Sequence, residues 1–558
     1  MAPPRTPRRA VCFALAALVA TAASCDLPVQ HEPQLHPYGG GVKSLRVNCA
    51  ARAGVIRPRI GTNRGPVNWP SDPAEPAQDY AGNFRRFGIE ALRSHDFYGP
   101  TDWWVLFPDW SADPGDAAAY DFASSDARIG AIRDAGFECL YRLGTSWRGD
   151  NPLPVNDPPG TTYAPNGQVA HEADRPDFEK WAQICVGTVR HYNQGWAGGH
   201  ACGIRYWEIW NEPDMSEQFW SGTAEQYFIL YEETAKALKA LDPALKVGGP
   251  GLSGSFTGSY LEGLLDHCRQ TGAPLDFYSW HQYGGRDEYN PHCYYDYARR
   301  VRDALNQYGY GKAESIVTEW NAGVGDNTFS DTPAGVAYYA SALMNMLDGG
   351  VTWAFQYVGD NHPMLGLHDH DTHEPVRATQ ALIAWKRMLS TPLRVTAVGS
   401  DEFGYNIAAG MDETGRRVHV LISDFQSDYS GFALKVTNLP WTELTPFAVT
   451  RWLLDPSREE LEAVETIHRT GRTFVIKRNM SRRTICLFEI RRGFAEPQPA
   501  ELDKPDKVLV PDSPAPRDPD RHPPKRKPPK PRPPRPEPPK PRPPKPSRPP
   551  RPAPRPQP

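Results

Sequence analysis

The sequence has no cysteine framework, and that absence removes several function classes at once. Nine cysteines are present, none in a Cys-x-x-Cys pair and none in the dense spacing of a disulfide scaffold. Structural zinc ribbons, thioredoxin-like redox centres and small stapled domains are therefore excluded. Cys185 with Cys202, or Cys268 with Cys293, could bridge in an oxidising compartment, but buried free thiols are the expected state. Membrane-spanning runs are also lacking. The apolar run from Ala10 to Ala23 is shorter than the roughly 20 residues that a span requires. No glycine-rich phosphate loop and no Ser-His-Asp arrangement stands out. Net charge is small, −4, but it is an average of unlike parts. From Arg517 onward there are 14 Lys and Arg against 3 Asp and Glu, a local +11 that leaves the rest near −15. The body is acidic, so specific nucleic-acid binding by the whole chain is not expected.

What is present begins with an export signal. Arg5, Arg8 and Arg9 precede the Ala10–Ala23 run, as in a signal peptide over residues 1–24. The end of that run, Ala22-Ala23-Ser24-Cys25, resembles a bacterial lipobox, in which Cys25 would become the lipidated first residue and anchor the protein to a membrane. Ordinary cleavage after small residues gives the alternative, free secretion. The expected location is outside the cytoplasm, in the cell envelope or the medium.

A chain of 558 residues exceeds what one core supports. From about 57 to 390 it alternates short apolar runs with amphipathic segments, the pattern of parallel strands joined by crossover helices. Eight strands are predicted: Arg57–Gly61, Ile89–His95, Phe137–Leu143, Ile204–Trp210, Leu245–Gly249, Leu275–His281, Ser315–Trp320 and Val351–Tyr357. Helices are predicted between them, among others over Asp121–Ala135, Phe178–Tyr192, Ala224–Leu241 and Ala334–Leu347. The expected class is α/β, a (β/α)8 TIM barrel, with chemistry at the carboxyl ends of its strands. Residues 391–495 change to short alternating segments and are expected to form a smaller β-sandwich. The segment 25–56 is expected to lend it a strand around Lys43–Val47. Residues 496–558 are a Pro/Lys/Arg-rich tail, extended or disordered by composition. Its exposed charge suits contact with an anionic cell-surface polymer.

Two predicted strands end in glutamate. Tyr206-Trp207-Glu208-Ile209-Trp210-Asn211-Glu212-Pro213-Asp214 is an apolar strand halted by proline, which leaves Glu212 at its tip among indole rings. Desolvation there favours the protonated form. Glu314-Ser315-Ile316-Val317-Thr318-Glu319-Trp320-Asn321 ends similarly and places Glu319 on the seventh strand. Paired carboxylates at strand ends point to glycoside hydrolysis.

The first nonapeptide, followed by Phe219-Trp220, Tyr227, Leu230-Tyr231 and Lys246-Val247-Gly248-Gly249-Pro250, resembles glycoside hydrolase family 39. The similarity continues through Phe277-Tyr278-Ser279-Trp280-His281-Gln282-Tyr283 and Val317-Thr318-Glu319-Trp320-Asn321. That family holds β-xylosidases and α-L-iduronidases of the retaining clan. The resemblance implies Glu212 as general acid/base and Glu319 as nucleophile. It implies Asn211 on the sugar 2-hydroxyl, Tyr283 donating to Glu319, and His281 on a sugar hydroxyl. His95 matches the histidine of a family His-Gly dipeptide, with Asp96 standing where the glycine would be. Trp353 and Tyr357 are expected on the floor of the sugar pocket.

Plainer roles are expected of nearby groups: interior hydrogen bonds for Glu208 and a loop cap for Asp214. Trp103, Trp104 and Trp110 fit either a sugar-stacking wall or a hydrophobic plug. His368-Asp369-His370-Asp371-Thr372-His373 has metal-ligand types, but consecutive residues rarely converge on one ion, and a polar loop is expected. No metal and no cofactor is required. The expected function is retaining hydrolysis of a carbohydrate substrate, β-xylosidase-like. The alternatives are an α-L-iduronidase-like enzyme, an endo-acting exopolysaccharide hydrolase and a non-catalytic polysaccharide-binding surface protein. Arg142, Arg148 and Arg286 near the barrel mouth do not choose among them.

Overall fold

The computed structural model describes residues 41–69, 76–147, 177–215, 218–255, 259–284, 291–323 and 328–493. The signal segment with Cys25, the basic tail, Arg148 and Arg286 lie outside the described residues. No helix among the described residues is long and apolar enough to cross a membrane.

Eight parallel strands close a barrel: β2 (Arg59–Asn63), β3 (Ile89–Arg93), β4 (Glu138–Leu143), β5 (Tyr206–Ile209), β6 (Lys246–Leu252), β7 (Phe277–Tyr283), β8 (Glu314–Asn321) and β9 (Trp353–Gln356). Each is followed by a helix: α1 (Ala81–Phe87), α2 (Ala123–Asp134), α3 (Phe178–Gln194), α4 (Ala224–Leu241), α5 (Tyr260–Thr271), α6 (Cys293–Gln307), α7 (Pro333–Gly349) and α8 (Thr379–Leu389). Every predicted barrel strand is found, with ends displaced by a few residues.

Local chemistry sets the helix boundaries. Thr223 and Gln226 form a reciprocal capping box that starts α4, at 3.2 and 2.8 Å. Thr332 caps α7 through Gly335 N at 3.1 Å, with Pro333 in the first turn, where its missing N–H costs nothing. α7 is buried on nearly every side. A helix apolar all round needs cover on both faces, and a β-domain supplies the second. Ser341 donates to the Gly404 carbonyl at 3.2 Å, and Ser423 donates back to the Ala337 carbonyl at 2.9 Å.

That domain combines β1 (Val42–Val55) with β10 (Leu393–Val398), β11 (Tyr405–Met411), β12 (Arg417–Asp424), β13 (Gly431–Thr437), β14 (Pro446–Leu454), β15 (Glu462–Thr470), β16 (Phe474–Asn479) and β17 (Thr484–Arg492). The nine strands form one continuous mixed sheet in the order β15-β14-β17-β12-β11-β10-β1-β13-β16, which folds over a shared core including Leu45, Val47, Ile407, Val420, Leu434, Phe447 and Phe488. β1 pairs antiparallel with β10 and parallel with β13, so the segment ahead of the barrel joins the two halves. The alternating segments Gly404–Ala409, Arg417–Ser423, Phe432–Val436, Phe474–Lys477 and Thr484–Ile490 of the sequence correspond to β11, β12, β13, β16 and β17, whereas β10, β14 and β15 were not anticipated. β15 is mostly exposed and charged, which blunts a sheet edge but hides the apolar alternation that would identify a strand.

All seven described cysteines carry free thiols. The suggested pairs Cys185 with Cys202 and Cys268 with Cys293 are among these free thiols and are not bridged.

Candidate active site

The barrel interior is layered by the two-residue period of its strands. Ala91, Leu140, Tyr206, Phe277, Ile316, Trp353 and Phe355 form an apolar cluster of their own inside the sheet. One to three pleats further toward the carboxyl ends, the same inward phase turns polar: Arg93, Arg142, Glu208, His281, Tyr283 and Tyr357. Strand polarity thus converts a packed floor into a chemically active rim.

Two local irregularities bring the glutamates into that rim. After β5 the chain takes left-handed backbone at Trp210 (φ 73°) and Glu212 (φ 42°). Such φ values cost non-glycine residues about 1–3 kcal/mol each and persist only where the surroundings enforce them. Here Trp210 packs against Trp181 and Trp220, and Glu212 N donates to the Gly251 carbonyl at 2.9 Å. The break in phase lets Asn211 and Glu212 both face the pocket. In β8 a bulge lies between Val317 and Glu319, so that Glu319 sits opposite His281. Ile316 and Glu319 both face inward although three residues separate them, which regular alternation would forbid.

One carboxylate oxygen of Glu212 and one of Glu319 lie within 4.8 Å of each other, and both side chains are nearly buried. Arg93, fully buried, ties the centre together. Its Nε donates to Glu208 Oε2 at 2.6 Å, Nη1 to Glu319 Oε1 at 2.7 Å and to Asn63 Oδ1 at 3.1 Å, and Nη2 to Asn211 Oδ1 at 2.6 Å. Tyr283 Oη donates to Glu319 Oε2 at 2.5 Å. Glu319 therefore has a donor on each oxygen, a geometry that favours its ionised form. Among the described residues Glu212 has one hydrogen-bond partner, His281 Nδ1, at 2.6 Å from Oε1.

These surroundings separate the two acids. Burial raises the Glu212 carboxyl well above its usual range, and the neighbouring Glu319 and Asp214 raise it further. Burial raises Glu319 too, and with Arg93 and Tyr283 opposing it and Asp96 adding to it the net position is about 7. Burial, followed by Arg93, drives His281 well below its ordinary value, so the ring is neutral. A neutral ring between two carboxyl groups can accept from a protonated Glu212 at Nδ1 or donate to an ionised one.

Asn211 Oδ1 is held by Arg93, while its buried Nδ2 has no hydrogen-bond partner. His95 accepts from Arg142 Nε at 3.1 Å on Nδ1, and its Nε2 lies 3.2 Å from Asp96 and 3.4 Å from Glu319. Arg142 in turn donates to Asp102 at 2.9 Å. The fully buried ring of His281 lies between the two glutamates, with Nδ1 2.6 Å from Glu212 and Nε2 3.6 Å from Glu319.

Trp353 is a clear correction. It lies at the amino end of β9, stacked under Arg59 at 3.9 Å and edge-on to Tyr206. Four residues separate it from Tyr357 on the same inward phase, roughly 13 Å of strand. Trp353 belongs to the barrel floor, and Tyr357 reaches the pocket, donating to Asp96 Oδ2 at 2.5 Å. Trp103 packs edge-on against Trp110 and Trp181, a plug beneath the loop after β3. Glu208 pairs with Arg93, and Asp214 accepts from Ser253 N and Oγ at 3.1 and 2.6 Å.

Arg93, Asp96 and Tyr357 were not singled out as a set from sequence. The signal was there for Arg93, a charged residue on the inward phase of an apolar strand. In the stretch after β9, His368 Nδ1 faces the Gly359 carbonyl at 2.9 Å, His370 Nδ1 faces that of Asn361 at 3.0 Å and His373 Nδ1 faces Tyr80 Oη at 2.9 Å. The three rings are engaged in different directions, as loop supports. Glu212, His281 and Glu319 are placed closely enough to hold a cation, but Arg93 already supplies the positive charge at Glu319.

Residues 83–358 match the family model Glycosyl hydrolases family 39. A β-xylosidase of Caldicellulosiruptor saccharolyticus is 30% identical over 184 residues, 31% of this chain and 36% of that protein. A β-xylosidase of Geobacillus stearothermophilus is 28% identical over 202 residues, 33% of this chain and 39% of the other. The chain thus spans little more than a third of the length of these curated relatives. Among solved structures, a glucosidase from Croceicoccus marinus superposes with a TM-score of 0.64 at 28% identity, covering 81% of this chain and all of that one. Over residues 83–358, most of the barrel, the chain thus matches the glycosyl hydrolases of family 39.

Proposed function

We propose that this protein is a retaining glycoside hydrolase that cleaves neutral pyranosides, xylosides first among them, by double displacement. The observation that carries the reading is the pair of carboxyl groups with an oxygen of each within 4.8 Å, one with a single histidine partner and one held by two donors. This separation suits direct attack by one carboxylate rather than activation of an intervening water, for which inverting enzymes need about 6.5–9.5 Å. Glu319 attacks the anomeric carbon while Glu212 protonates the leaving oxygen. The glycosyl ester on Glu319 is then hydrolysed by a water that Glu212, now ionised, deprotonates. The proton is conserved over the cycle and the anomeric configuration is retained. Asn211, oriented by Arg93, offers its free Nδ2 to the sugar 2-hydroxyl, a contact that strengthens as charge develops.

A neutral sugar is favoured over a uronic acid because each buried arginine at this end of the barrel is already paired. Arg93 is bound to Glu208 and Glu319, Arg142 to Asp102, and Arg64 to Asp360 at 2.6 Å. Among the described residues no buried cation is left for a substrate carboxylate. Glucosides belong in the same panel, since the solved relative is called a glucosidase.

The test is hydrolysis of an aryl glycoside panel, with Glu319→Ala and added azide. Turnover lost in the variant and restored as a glycosyl azide of inverted configuration supports both assignments. Absence of turnover on every glycoside and polysaccharide, with sugar binding retained, supports a non-catalytic binding role instead. We further propose that the protein is exported, with Cys25 as a lipid anchor. Incorporation of labelled palmitate that is lost in Cys25→Ser tests this, and an unlabelled secreted protein refutes the anchor.

A further inference from the structure

On the helical layer outside the barrel, α2, α3 and the loop entering β5 bring Asp126, His191 and His200 together, with ligand atoms all within 4.8 Å of one another. His191 Nε2 lies 2.8 Å from Asp126 Oδ1, and His200 Nε2 lies 3.3 Å from the same oxygen. The orientation of His191 is fixed. Its ring stacks on Phe122 at 3.6 Å, the side chain is 1% exposed, and Nδ1 lies 3.0 Å from the Trp196 carbonyl oxygen. A carbonyl only accepts, so Nδ1 carries the ring proton. Nε2 then presents a lone pair to a carboxylate oxygen at hydrogen-bond distance. Two acceptors in that contact require a positive particle between them, either a second proton or a metal ion.

Two further observations favour the metal. A histidine whose Nδ1–H is held by a backbone carbonyl, leaving Nε2 free, has the orientation and basicity of a metal ligand. Independently, His200 Nε2 is buried and makes no hydrogen bond. It faces the oxygen shared with His191. The side chains of Asp126 and His200 are each 30% exposed, so the cluster lies near the surface. One neighbour has to move: Arg133 Nη1 lies 3.2 Å from His200 Nδ1, which must hold the proton when Nε2 ligates. Arg133 is 42% exposed and already pairs with Asp134 at 2.8 Å, so it can turn away.

We propose that Asp126, His191 and His200 form a binding site for a divalent transition metal of the zinc class, with water as the fourth ligand. Two imidazoles and a carboxylate are a borderline donor set, suited to zinc rather than to calcium or magnesium. The ion would staple α2 to α3 and to the loop that leads into β5, the strand that carries Glu212.

The full chain, stripped with EDTA, is titrated with zinc chloride by calorimetry and unfolded thermally with and without zinc; neither readout depends on glycosidase activity. Asp126→Asn and His200→Ala are the variants, since both residues are partly exposed. Expected are one zinc per chain, a rise in Tm with zinc as ligand linkage requires, loss of both effects in each variant, and tetrahedral absorption with cobalt in its place. No stoichiometric binding at ~100 µM zinc, a concentration at which a micromolar site would be nearly full, overturns the proposal and leaves a proton in the gap. Binding that survives in both variants also overturns it and places the ion elsewhere.

Discussion

Tyr283→Phe removes one atom, and the structure says what that atom does. The Tyr283 hydroxyl lies 2.5 Å from Glu319 Oε2, where Glu319 is buried and Tyr283 part-buried. A hydrogen bond to a charged group is worth about 1.5–3 kcal/mol, and here it acts on the ionised carboxylate alone. Removing it disfavours ionisation by that amount, which corresponds to about one to two pKa units upward for Glu319 at 1.36 kcal/mol per unit. The nucleophile must be ionised to attack, so Glu319 sets the acidic limb of the pH profile of kcat/KM, and Glu212 sets the basic limb. The limb should move up by about one to two units. Activity should therefore fall most in acid, about 10- to 100-fold below the limb, and less on the plateau. The assay is kcat/KM for a reactive aryl xyloside across pH, with unfolding curves to show that the fold is intact. An equal loss at every pH with an unmoved acidic limb would refute the assignment, because the hydroxyl would then position rather than ionise.

Arg93→Met should be more costly to the fold than to binding. It strands Glu208, fully buried, and Glu319 without their cation, and loss of one partner of a buried pair costs about 3–5 kcal/mol, to be read from urea unfolding. Glu319→Gln removes the charge that raises Glu212, so the Glu212 carboxyl should titrate at lower pH, measurable by carbon NMR of labelled glutamate. Trp353→Ala should lower stability by about 3–5 kcal/mol while leaving KM unchanged, since this ring packs in the barrel floor; a raised KM would return it to the pocket.

The barrel was legible because its strands are apolar runs of regular length, and because proline after Glu212 and the Glu-Trp ending of β8 mark strand tips. The β-domain was only partly legible. β15 exposes most of its residues, and β10 mixes intermediate and exposed positions, so neither shows a clean apolar alternation. The rim was legible where motifs named a residue and obscure where only position did. Trp353 and Tyr357 share an inward phase four residues apart, but Trp353 opens β9 and Tyr357 follows its carboxyl end, where this barrel places its chemistry. The contact of His281 with Glu212 was not legible, because 69 residues separate the two in the chain.

Sequence by itself determined the eightfold strand–helix order and the two carboxylates, since hydrophobic periodicity and proline act within a few residues. Tertiary structure decided which of them ionises. Arg93 comes from the second barrel strand and Tyr283 from the sixth, and their donor atoms reach Glu319 only when the barrel closes. It also decided that Glu212 has fewer donors and keeps its proton, because burial and the charge of Glu319 act through space rather than along the chain.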